Sequence, residues 1–137
     1  MADLTITAAN VVKGSGASVG NGTAGATIKA GEPIYKDSTD SNKLKLADAD
    51  ALATAAVDGI ALHGADSGQP IQYCTKGLLT MGATVAIGTT YVLSDTAGGI
   101  SPSGDHNVTG DYTTVIGVGT TTGIIDVNIQ ISGVALP

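Results

Sequence analysis

Ile124-Ile125-Asp126-Val127-Asn128-Ile129-Gln130-Ile131-Ser132 is the stretch whose pattern decides the fold. Ile125, Val127, Ile129 and Ile131 recur at every second position, with Asp126, Asn128 and Gln130 between them. A period of two sends successive side chains to opposite faces of an extended chain, so the segment is a strand with one apolar and one polar face. Its β-branched residues fit a pleated surface better than a helix, where they lose χ1 freedom.

Shorter segments of the same character precede it. Residues 113–119 (TTVIGVG), 88–94 (GTTYVLS) and 57–62 (VDGIAL) each read as a strand, with Gly59 marking a bulge or a close backbone approach. Residues 69–75 and 78–81 read as a strand pair turning at Lys76-Gly77. Residues 26–37 read as strand, turn, strand, with Pro33 opening the second strand, where its missing N–H matters least. Residues 43–46 alternate Lys with Leu, and residues 48–56 (DADALATAA) form the one helix candidate, capped by Asp48 or Asp50. Residues 2–12 read as a strand or arm, followed over 14–25 by a glycine-rich mobile loop, and residues 96–112 form the longest loop. An arm of twelve extended residues spans about 40 Å, enough to lie across a neighbouring subunit. The expected class is all-β: a small compact β-barrel or β-sandwich with one short helix and an extended N-terminal arm. Residues 1–25 are assigned to the arm and glycine-rich loop and residues 26–137 to the β-domain.

Composition narrows the functions available. The 137 residues contain neither Phe nor Trp and only four tyrosines, so Ala, Val, Ile and Leu build the core. Each such side chain buries less surface than a ring, at roughly 25 cal/mol per Å². Twelve acids against six lysines leave a net charge of −6, with no arginine and no lysine after Lys76. Phosphate backbones and anionic membrane surfaces both demand clustered cations, so neither nucleic acid nor membrane is an expected partner. No basic segment followed by an apolar run occupies residues 1–10, so no secretory signal is expected. The single Cys74 has no partner for an internal disulfide and is expected to be a small buried strand residue.

Chemistry-bearing patterns are sparse. Gly20, Gly22 and Gly25 match GxGxxG spacing but lack the strand-to-helix context that makes it a phosphate cradle. Ser103, Asp105 and His106 are the residue types of a nucleophilic triad, yet they are near neighbours on one loop rather than held apart on a rigid frame. His63 is expected to meet Asp66 across a turn. His63, Cys74 and His106 have no zinc spacing, and Asp37, Asp40, Asp48 and Asp50 lack the order of a calcium loop and are read as turn and cap residues. Glu32 is the sole glutamate, and no carboxylate pair suits general acid–base work. The expectation is a non-enzyme without cofactor or metal.

One order of short motifs is more distinctive. Gly31-Glu32-Pro33-Ile34-Tyr35, then 56–62 (AVDGIAL), 65–71 (ADSGQPI) and Lys76-Gly77 are followed by 88–94 (GTTYVLS), Gly98-Gly99-Ile100 and Val115-Ile116-Gly117-Val118-Gly119. Together they resemble a tailed-bacteriophage capsid decoration, or cement, protein over residues 26 to about 132. The resemblance implies a small β-domain that binds the major capsid protein on the outside of an expanded head. It further implies a homotrimer at local threefold positions that stabilises the shell, is assembled in the host cytoplasm and resides on the virion exterior. Residues Leu4, Thr5, Ile6 and Thr7 are the candidate capsid-binding element: an extended segment adds a strand to a capsid-protein edge while Leu4 and Ile6 fill pockets. The competing arrangement pairs these residues within their own domain. The alternative function is a head-fibre or tail-associated adhesin base using residues 96–112 to touch a host glycan, with Tyr112 the one ring near that loop.

Overall fold

A computed structural model describes residues 3–137. Along the chain come a first 3₁₀ turn (Ala8–Asn10) and strands β1 (Val11–Lys13), β2 (Ser18–Thr23), β3 (Pro33–Asp37), β4 (Lys43–Leu46), β5 (Val57–Ala61) and β6 (Pro70–Met81). They are followed by β7 (Thr90–Leu93), β8 (Ile100–Pro102), a second 3₁₀ turn (Ser103–Asp105), β9 (Tyr112–Thr121) and β10 (Ile124–Ala135). The all-β expectation holds. All strand pairs are antiparallel within one sheet of order β4-β3-β5-β6-β10-β9-β7-β8, which curls into a half-barrel.

The long strand β6 organises the sheet. Along one edge it pairs with β1 (Val11 opposite Met81) and then β2 (Thr23 opposite Pro70); along the other it pairs with β5 at Tyr73 and Cys74 and with β10 from Lys76 to Thr80. On the edge shared by β1 and β2 the change of partner falls between Lys76 and Leu79, at Gly77, whose φ of 104° is open to glycine and strained for other residues. Lys76-Gly77 is therefore a bend within one strand, not the turn between two that the glycine suggested.

Adjacent residues of β6 point to opposite faces, and here both faces are covered. Cys74 is buried in the main core with Ile60, Leu79, Met81, Leu93, Ile100, Ile116 and Ile125. Tyr73 is buried in a second core with Ala24, Ile28, Ile34, Leu44, Ala61, Ala65 and Ile71. The free Cys74 thiol is buried as expected, and burial pushes its pKa up.

Three local expectations are corrected. Residues 14–25, read as a mobile loop, contain β2, and its glycines sit where neighbours cover the backbone. A Cβ at Gly20 would lie 2.5 Å from the Tyr73 ring and one at Gly22 2.6 Å from Leu44 Cδ1. Strands β1 and β2 are thus hydrogen-bonded into the same sheet as the later strands. Residues 48–56 form turns, not the expected short helix: the Asp48 carboxylate accepts from the Asp50 N–H at 3.1 Å and the Thr54 hydroxyl at 2.7 Å. Such side-chain bonds compete with helix formation, and one helix-like bond, Ala55 N–H to the Ala51 carbonyl, survives. Finally, the long loop expected over 96–112 contains β8 and the second 3₁₀ turn.

Candidate attachment surface at the amino-terminal strap

Residues 3–7 form an extended strap across the domain. The Leu4 N–H donates to the Ile100 carbonyl at 2.7 Å and the Thr7 N–H to the Gly82 carbonyl at 2.8 Å. The first bond covers part of β8, a three-residue edge strand ended by Pro102, and covered or proline-blunted edges resist unwanted pairing. Alternation fixes the faces. Leu4 and Ile6 are half-buried against the main core, whereas Thr5 and Thr7 are exposed. Residues 4–7 thus rest on their own domain, with Leu4 and Ile6 facing inward; the arm's first two residues lie outside the described residues.

The seat beneath the strap is cut by glycines. A Cβ at Gly31 would stand 2.7 Å from Ile6 Cγ2, one at Gly99 would stand 2.8 Å from Asp3 Oδ2, and one at Gly82 would overlap the Thr7 carbonyl oxygen. Two open bays flank the strap. The larger, about 390 Å³, lies between Ala8, Val11, Leu62 and His63, and the smaller, about 190 Å³, between Leu4, Ile6 and Glu32; Lys29 and Ala30 line both. Glu32 accepts from the Lys29 N–H at 2.6 Å, but burial outweighs that bond and raises its pKa.

The other candidate residues do not converge. His63 does not meet Asp66: its Nδ1 lies 2.9 Å from the Gly64 carbonyl, and its Nε2 accepts from the Gln72 N–H at 3.1 Å. His106 lies just past the second 3₁₀ turn with Nε2 3.0 Å from Thr113 Oγ1, and its link to Ser103 is a backbone one, the His106 N–H donating to the Ser103 carbonyl at 3.2 Å. Asp37 accepts from Lys45 Nζ at 2.8 Å and from Thr39, which lowers its pKa to about 2, while Asp40 lies 3.1 Å from the same Lys45 Nζ. Gly20, Gly22 and Gly25 belong to or follow β2, with no helix after them. Among the described residues, no group of three or more His, Cys, Asp or Glu side chains could hold a metal ion. Tyr112 packs against the main core rather than standing as an exposed platform.

One buried acid escaped the sequence reading. Asp111 is 5% exposed, and its Oδ2 has no hydrogen-bond partner among the described residues. Burial, reinforced by Asp95, Asp50 and Asp48, raises its pKa, and His106 opposes the rise. Its position in a polar loop gave no signal of this. The burial arises because the Tyr112 N–H reaches the Ala49 carbonyl at 2.8 Å and the Ala49 N–H reaches Ser94, drawing three segments together.

The raised pKa has a definite sign. A carboxyl whose folded pKa exceeds its unfolded value of about 3.9 binds its proton more tightly in the folded state, so it stabilises below that value and loses this contribution as pH rises through the folded pKa. Urea midpoints of the wild type and Asp111→Asn at pH 4, 5, 6 and 7 will therefore change in favour of the variant as pH rises. A difference constant with pH would refute the assignment.

No protein-family model, curated protein or solved structure matches the chain.

Proposed function

We propose that the protein is a structural component of a phage virion that binds the outer surface of the capsid through its amino-terminal strap and stabilises the shell. The observation that carries this reading is the strap itself: a short alternating segment seated on a sheet edge, with Thr5 and Thr7 directed away from the domain. A strand of the major capsid protein adds along the strap's outer edge, main-chain hydrogen bonds giving affinity and the two threonines giving fit. The order of motifs over residues 31–119 supports the same reading, as does the dispersal of the polar candidates among the described residues. The domain acts as a homo-oligomer, a trimer at local threefold positions, and repetition over a lattice turns weak contacts into avidity.

Deletion of residues 2–7 is the direct test. Binding of the variant to purified expanded heads, measured by co-sedimentation, will fall at least about 100-fold if the strap supplies the contact, because avidity compounds the loss at every copy. Undiminished binding would remove the strap from the interface. Copy number separates the broader role from a fibre or tail part: peptide mass spectrometry of particles will find this chain near parity with the major capsid protein, whereas a few tens of copies would overturn the decoration role.

A further inference from the structure

We propose that the seat under residues 3–7 accepts the same residues of a second copy, so that neighbouring copies are linked by exchanged straps. The seat is shaped to this sequence in detail. Gly99 leaves room for Asp3, Gly31 for Ile6 and Gly82 for the Thr7 carbonyl, while the carbonyls of Ile100 and Gly82 receive the Leu4 and Thr7 N–H groups. Every one of these contacts is reproduced when the strap comes from a neighbour, which is why exchange of an identical element costs little.

The strap is also built to leave. Among the described residues, those two backbone bonds and the half-buried Leu4 and Ile6 hold it to the body, and an open bay lies beside Leu4 and Ile6. The connection to β1 is the 3₁₀ turn Ala8–Asn10, which has no buried residue and is closed by the Asn10 N–H to the Thr7 carbonyl at 3.0 Å. Opening it breaks that bond and the one from the Val11 N–H to the Ala8 carbonyl, and lets the three residues span about 10 Å at roughly 3.3 Å per residue. Beyond it the chain is fixed, since Val11 is 8% exposed and paired with Met81. Ala8–Asn10 is therefore the hinge.

Local concentration decides between the closed and exchanged forms. A short tether presents the strap to its own seat at an effective concentration of the order of millimolar, so a neighbour's strap competes once copies reach similar density. That condition is met by concentrated protein without any shell, and the inference stands or falls independently of capsid binding.

The experiment mixes equal amounts of ¹³C-labelled and unlabelled full-length chain at about 1 mM, warms the mixture below its unfolding temperature, and records isotope-filtered NOE spectra. The expected result is a set of cross-peaks between Ile6 methyls of one chain and Gly31 α-protons and Val11 methyls of the other. At full exchange these carry about half of the strap's contacts, because partners assort at random. Contacts of Ile6 that remain within one chain after prolonged warming would overturn the proposal, as would inter-chain cross-peaks confined to other surfaces.

Discussion

Replacing Gly117 by alanine will destabilise the protein by about 3 kcal/mol and lower its melting temperature by about 10 °C, although only one methyl group is added. Gly117 lies in β9 opposite Val127 of β10, and its backbone is not among the left-handed glycines, so strain in φ plays no part. The cost is steric. A Cβ there would overlap the Asp126 carbonyl oxygen and lie 2.8 Å from Ile125 Cγ2, a side chain that is itself fully buried. A flexible side chain can rotate aside, but a strand carbonyl moves only with its ladder. Gly104→Ala is the matched control: a Cβ there meets nothing within 4 Å, and its φ is not positive. Thermal melts giving equal, small shifts for both variants would show that β9 and β10 are not packed as described.

Ile125→Ala and Ile131→Ala will differ by about 3 kcal/mol despite the matched positions of the two residues in one strand. Ile125 is 0% exposed and sits in the main core, where truncation leaves a cavity and costs about 3–4 kcal/mol. Ile131 is 48% exposed, so its truncation costs about 0.5 kcal/mol or less. The reason lies in the sheet. β10 pairs with β6 only as far as Asn128, and its register against β9 shifts after Val127 and again after Ile131, which carries the far end away from the core. Denaturant midpoints on the isolated chain test the difference; equal losses would mean that another copy covers the far half of β10.

This pair also marks how far alternation could be trusted. The period of two correctly identified β10 as a strand and its inward face as far as Ile129, which still packs against the main core. It treated Ile131 as the equal of Ile125 because alternation carries no information about where a neighbouring strand ends. The glycine-rich stretch failed for a related reason. Glycine in SVGNGT reads locally as a turn former, yet here the missing side chains are replaced by the Tyr73 ring and Leu44, residues remote in sequence. The Ala-rich 48–56 segment matched helix propensity, which the Asp48 side chain overrode by capturing Asp50 and Thr54. The strap was legible as an alternating segment, whereas its choice of its own domain as a seat depended on Gly31, Gly82 and Gly99, which no local pattern connects to it. Asp111 was unreadable because its burial is made by two other segments.

The pairing of β1 and β2 with β6 has a consequence for the nascent chain. Val11 through Thr23 leave the ribosome early, but their hydrogen-bonding partners, Pro70–Met81, do not yet exist. At about 5–20 residues per second, several seconds pass with these backbone groups unpaired, a period when an exposed strand invites association with neighbouring chains. The segment that waits is Ser18-Val19-Gly20-Asn21-Gly22-Thr23, preceded by more glycine and serine and containing a single large apolar side chain. Such a sequence has little tendency to collapse or aggregate alone. Composition that weakens β2 as an autonomous strand thus keeps it soluble until β6 arrives, and the aromatic and leucine side chains that complete it are delivered later, by the partner strand and by β4.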